Sequence, residues 1–166
     1  MKTKKIAYLG LLVALAFVFS YIEFLLPINL GIPGVKLGFA NLVIMVTMYT
    51  LGEKEAFLLS VVRIVLVGFT FANTASMLYS LAGGVLSFGV MYVAKKMKTF
   101  SMAGVSMLGG VFHNVGQILL AMWMLSTDSL LYYLPVLIVA GVVTGVMIGI
   151  LGAMITKRLK KLVRLD

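Results

Sequence analysis

GVFHNVGQ, residues 110–117, holds the one histidine of a 166-residue chain, with an asparagine beside it and a glutamine one turn later, inside a long apolar stretch. On a helix, His113 and Gln117 share a face and Asn114 lies three residues before Gln117, so an imidazole and two amides form one broad patch. Such a patch can hydrogen-bond a ligand or tie helices together, and the imidazole, with an unperturbed pKa of about 6.5, can relay a proton. Gly109, Gly110 and Gly116 leave room beside it for another helix or a flat ligand. Metal ligation does not fit, because there is no second histidine, no cysteine and only 5 acidic residues.

Arg63 is the sharpest of the other polar residues. It stands in SVVRIVLVGF, in the middle of an apolar run, where a charge costs about 2.5–3.5 kcal/mol on insertion scales and marks the bundle interior. Two partners are open to it: Glu23, or a bound anion. Glu23 shares a face with Ser20 and Ala16. Lys36 follows the turn PGVK and reads either as an interfacial anchor or as an anion contact; Asn41 and Asn73 complete the set. Glu23, Lys36, Asn41, Arg63, Asn73, His113, Asn114 and Gln117 together suit an anionic or strongly polar ligand with an apolar part. No nucleophile–base pair, Walker loop, dinucleotide fingerprint or aspartate-rich D-D-x-x-D pair is present, so the chain is expected to have no catalytic activity of its own.

The elements that must position these groups lie in lipid. Hydrophobic residues make up 62% of the chain, well above the roughly 45–50% of a soluble domain. The net charge of +9 does not describe a nucleic-acid surface, because all but Lys36 and Arg63 of the 14 basic residues cluster at the ends of apolar segments. That is the positive-inside pattern. The spacing predicts six spans over about 5–26, 36–51, 56–71, 77–94, 104–125 and 132–156, the second and third short. The breaks are PINLGIPG (27–34), GEKE (52–55), FANTAS (71–76), KKMK (95–98) and STDS (126–129). The expectation is an all-α membrane protein of six transmembrane helices in one domain, 1–166, in a bacterial cytoplasmic (inner) membrane, with both termini cytoplasmic. The first span is retained, since no small-x-small cleavage site follows it.

Small residues mark close helix contacts. Ala7, Gly10 and Ala14 on span one serve internal packing or a partner-docking face. Gly141, Gly145, Gly149 and Gly152 read as an internal seam, and the 12 methionines as filler.

GLLVALAFVFSYIE (10–23), PGVKLGFAN (33–41), VVRIVLVGF (61–69), YSLAGGVLSFGVMY (79–92) and GVSMLGGVFHNVGQ (104–117) resemble a small membrane family, called both heptaprenyl diphosphate synthase component I and the Gx transporter family. The two names imply different roles. The transporter name, with the helix count and the small residues of helix one, implies a fold similar to the substrate-binding S components of energy-coupling-factor transporters. It also implies a ligand-binding subunit of a transporter-like complex, docking a membrane partner through Ala7, Gly10 and Ala14. The family's association with extracellular electron transfer implies a quinone- or flavin-linked subunit beside an extracytoplasmic protein. The synthase name implies a non-catalytic accessory subunit in making the prenyl diphosphate of the menaquinone side chain, with catalysis in another polypeptide. The transporter-like ligand-binding subunit is the leading expectation; no nucleic-acid partner is expected.

Overall fold

A computed structural model describes residues 2–26 and 38–162. Six α-helices run in chain order: α1 (Lys2–Leu25), α2 (Phe39–Thr50), α3 (Glu53–Thr70), α4 (Thr74–Met97), α5 (Met102–Leu125) and α6 (Leu134–Leu162), with a short 3-10 turn at Ser129–Tyr133 before the last. Their limits have local causes. α1 stops just before Pro27, which disfavours a helical conformation in the residue ahead of it. α2 begins after Gly38, held at φ 82°, where a side chain would be strained. α3 opens with Glu53 and Glu55, acidic residues that suit the positive end of a helix dipole. Asn73 and Ser101 cap α4 and α5 by accepting from the amides of Ser76 and Gly104.

The all-α, multi-pass membrane character expected from composition holds, but the count of six transmembrane helices does not. Among the described residues, four helical segments are long and apolar enough to cross a membrane: Lys5–Leu25, Thr74–Met97, Met102–Leu125 and Ser129–Lys161. α2 has 12 residues, about 18 Å at 1.5 Å per residue, against about 30 Å of hydrocarbon. α3 is 18 residues long and carries Glu53, Lys54, Glu55 and Arg63, too many charges for a lipid-crossing window. Span two, expected over 36–51, is therefore a shorter helix. Residues 27–37 lie outside the described residues, among them Lys36 and the whole of the loop expected over 27–34.

α2 sits in the centre of the bundle. Leu42 through Met48 are all buried, packed with Leu59, Phe88, Val105 and Ile148. Its upper end lies deep, since Gly38 faces Ile148, close to the midpoint of α6. On the other flank, α4, α5 and α6 pack backbone to backbone. A Cβ built on Gly141 would lie 2.9 Å from the Gly110 carbonyl, one on Gly145 2.7 Å from the Ser106 carbonyl, and one on Gly149 2.4 Å from the Ala103 Cα. The glycine ladder of α6 is thus an internal seam against α5, as expected. Gly152 is different: its neighbours are side chains of Met102, Leu42 and Met45.

The two ends of the bundle differ. At one end, Lys95 donates to the Met48 carbonyl and to Glu53 Oε1, both at 2.7 Å, and Lys5 pairs with Glu55. Lys54, Lys96, Lys98, Lys157, Arg158, Lys160 and Lys161 are exposed at the same end. At the other end three aromatic residues, Phe69, Trp123 and Tyr132, are strongly exposed.

Candidate functional site

A cavity of about 80 Å³ lies where α2 begins, between α3, α4, α5 and α6. Glu23, Asn41, Arg63, His113, Asn114 and Gln117 all line it, so six of the eight residues singled out from sequence converge from four helices. Lys36 lies outside the described residues. Asn73 is at the rim of a different space, and its side chain caps α4, with Oδ1 accepting from the Ser76 amide at 2.7 Å.

Arg63 and Glu23 form no direct ion pair. Among the described residues the ion pairs are Lys5–Glu55 and Lys95–Glu53. Glu23 instead accepts from the backbone amide of Phe39 at 2.8 Å, so a carboxylate from the end of α1 caps the partly buried start of α2. Gly38, the residue before the first turn, has no side chain to cap the helix itself. Arg63 is held loosely. Its Nη1 donates to Ser20 Oγ at 3.5 Å and its Nη2 to Asn41 Oδ1 at 3.4 Å, both at the outer limit for hydrogen bonds, and its buried Nε has no partner. A guanidinium carries five N–H donors. Most of the hydrogen-bonding capacity of Arg63 is therefore unused by protein at the level of good geometry.

The α5 patch divides into two parts. Asn114 Nδ2 donates to the Leu137 carbonyl at 2.7 Å, tying α5 to α6 across the glycine seam. His113 and Gln117 lie against Gly83 of α4, where a Cβ would fall 2.5 Å from the His113 carbonyl and 2.8 Å from Gln117 Cγ. The missing side chain of Gly83 is what lets α5 bring both residues to the chamber wall. Among the described residues, no three His, Asp or Glu side chains gather as a metal site.

Several lining residues were not singled out as ligand groups from sequence. Ser80, Gly84 and Ser87 form one stripe of α4, and Ser60 shares the face of Arg63 on α3. The usable signal was small and hydroxyl residues at helical spacing inside apolar segments.

A second, larger space of about 450 Å³ lies between α1, α3 and α4, towards the aromatic end. Its lining mixes the apolar side chains of Phe24, Val67, Phe71 and Met77 with polar ones, Ser20, Glu23, Arg63 and Ser80 towards the chamber and Asn73 and Ser76 near the start of α4. Phe71 closes one side by packing on Phe17, Tyr21 and Phe24, with ring centroids 5.2–5.5 Å apart.

Residues 12–155 match the family described as heptaprenyl diphosphate synthase component I. The chain belongs to that family. The match covers most of its length, including every cavity-lining residue named above. No curated protein and no solved structure matches the chain. The family is described by a component of prenyl diphosphate synthesis, and this corrects the expectations of transport, of an energy-coupling-factor S component, and of quinone- or flavin-linked electron transfer. Those expectations rested on a six-span count that the fold does not keep and on a second family name.

Proposed function

We propose that this chain is a non-catalytic membrane subunit supporting prenyl diphosphate synthesis, and that it binds a small anionic or amphipathic molecule in the chamber around Arg63. The observation that carries the reading is Arg63 itself, a partly buried guanidinium with two long contacts and a buried Nε without a partner. A buried charge left in this state is costly, and an oxyanion is the group that answers it with charge-assisted, forked hydrogen bonds. Arg63, Asn41, His113 and Gln117 are the contacting set; Glu23 and Asn114 hold the backbone around them. Condensation chemistry belongs to a separate polypeptide that carries aspartate-rich pairs.

In this reading the basic end of the bundle faces the cytoplasm of a bacterial cell. The outward stripe of Ala7, Gly10 and Ala14, exposed on α1 with open space at Gly10, is the face offered to the synthase polypeptide.

The test is co-expression with such a synthase polypeptide, followed by measurement of long-chain prenyl diphosphate formed by membranes. The chain is expected to raise the long-chain yield, and Arg63→Gln to remove that gain at an unchanged level of membrane-inserted protein. Equal yield with and without the chain rejects the reading. Gly10→Leu is expected to lower recovery of the synthase polypeptide while leaving the melting midpoint of the purified subunit unchanged.

A further inference from the structure

The outward side of α6 keeps a single register from one end of the helix to the other. From Val136 its exposed apolar residues recur at steps of three and four, through Val143 and Met147 to Met154. The next two steps of that stripe are Lys157 and Lys161, with Arg158 and Lys160 beside them, all four exposed. Val136 to Met154 covers about 27 Å at a rise of about 1.5 Å per residue, close to the roughly 30 Å of a hydrocarbon core. The basic residues therefore begin where the acyl region ends, at the level of lipid phosphates. Their methylene stems continue the apolar face while the charged heads reach that level.

The helix end that carries them is docked. Gly152 lies against Leu42 and Met45 of α2, Thr156 is buried and Leu159 packs on the central core, so the opposite side of the same turns is fixed to the bundle. The four charged heads thus stand on an anchored helix and point away from it. Among the described residues no acid is left to neutralise them. Glu53 and Glu55 are taken by Lys95 and Lys5, Glu23 lines the chamber, and Asp128 lies at the far end, just before α6 begins.

We propose that this face of α6 is a binding site for an anionic phospholipid, with an acyl chain along Met147 and Met154 and the headgroup phosphate held by Lys157, Arg158 and Lys161. Basic clusters at the exit of a membrane helix concentrate anionic headgroups. The unbroken stripe selects a lipid over an acidic protein, because whatever meets these cations shares its face with acyl chains one turn earlier. The site is separate from the chamber and independent of what the chamber binds.

The chain has no cysteine, so Met154→Cys labelled with bimane places one probe on the stripe beside the cation cluster. The labelled full chain is reconstituted in nanodiscs of phosphatidylcholine with a minor fraction of phosphatidylglycerol. Quenching is compared when brominated acyl chains are carried by one lipid or by the other. Phosphatidylglycerol is expected to be enriched beside the probe at least about fivefold over its bulk fraction. Lys157→Gln, Arg158→Gln and Lys161→Gln combined are expected to return it to the bulk fraction at an unchanged melting midpoint. Lys54→Gln, Lys96→Gln and Lys98→Gln combined remove the same charge from the same end and are expected to leave most of the enrichment. A bimane at Val139→Cys, near the other end of the stripe, is expected to report the bulk fraction. Bulk composition beside Met154 without the glutamine substitutions overturns the proposal and leaves the face to an acidic protein. Equal loss in the two triple variants also overturns it, by tracing the enrichment to the charge of the whole end.

Discussion

Glu23 and Arg63 carry opposite charges on neighbouring helices, and the sequence leaves open whether Arg63 pairs with Glu23 or with a bound anion. The fold gives each a different task. Because Glu23 Oε1 accepts from the Phe39 amide, the amide oxygen of Glu23→Gln can take over the same bond, whereas Glu23→Ala strands a buried donor. Glu23→Ala is expected to lower stability by about 1–2 kcal/mol and Glu23→Gln by clearly less, read from melting in detergent. Arg63→Ala is expected to remove binding in both backgrounds without a large folding defect, since Glu23 keeps its partner. A folding defect rescued by Glu23→Gln would show the two to be a structural pair after all. Glycines separate in the same way. Gly83→Ala meets the His113 carbonyl at 2.5 Å and is expected to cost about 1–3 kcal/mol; Gly10→Ala meets nothing within 4 Å and is expected to be neutral or slightly stabilising. Equal melting midpoints for these two variants would contradict the α4–α5 packing. At this scale the sequence was informative about which residues matter, because polar groups in apolar runs are conspicuous. It was silent on pairing, since the contacts of Arg63 with Ser20 and Asn41 join residues 43 and 22 positions apart.

Among the elements, α2 departs most from what the sequence suggested. Residues 36–51 are almost uniformly apolar, and nothing in their pattern reports that the helix begins only after Gly38, at the depth of Ile148. Hydropathy registers what a segment is made of; it does not distinguish shielding by protein from shielding by lipid. The lower end of α2 is fixed by Lys95, which reaches the Met48 carbonyl and Glu53 from α4 and lies 4.9 Å from the centre of the Tyr49 ring. Lys95→Met is expected to lower stability by about 1–3 kcal/mol, mostly through the carbonyl it leaves unsatisfied. The hydrogen bond from Lys95 holds the Glu53 carboxyl below its usual range, and the hydrogen bond from Lys5 does the same for Glu55. A depressed carboxyl contributes stability that is fully present above its unfolded value, about 4.3, and is lost as pH falls through the folded value. Melting midpoints are therefore expected to fall below about pH 4.3, with Glu53→Gln plus Glu55→Gln flattening that acid limb. An unchanged acid limb in the double variant would remove these pairs as its cause.

For the whole molecule, the charge pattern and the aromatic residues agree on a polarity. Basic side chains gather at one end, and Phe69, Trp123 and Tyr132 are exposed at the other. The absence of cysteine makes the orientation directly measurable. Single cysteines at Thr74 and Ser129 are expected to react with an impermeant reagent added outside the cell, and one at Thr99 only after permeabilisation. The opposite labelling reverses the orientation proposed here. The helical membrane class, the approximate helix limits and an internal seam along the α6 glycines were readable in advance, because apolar runs, polar breaks and glycine steps are local; that the seam faces α5 and that Asn73 caps α4 were not. The larger space between α1, α3 and α4 was not, because it is a gap left where Phe71 packs on α1 and Met77 lies on Gly68, and a gap has no residues of its own.

The seam between α5 and α6 also sets where the bundle can give. Gly110, Gly141, Gly145 and Gly149 place main chain against main chain, with few side-chain rotamers between the helices to rearrange. Such a joint is stiff: it neither slides nor swells by repacking, and α5 and α6 travel as a single plank. The opposite flank is joined through side chains, Phe71 among the rings of α1 and Met77 against α3. His113 and Gln117 stand on α5 and Arg63 on α3, so the chamber lies between a jaw packed main chain on main chain and one packed through side chains. Amide exchange should then be slowest along the seam and fastest around Phe71, and a molecule that spans both jaws should slow the second far more than the first.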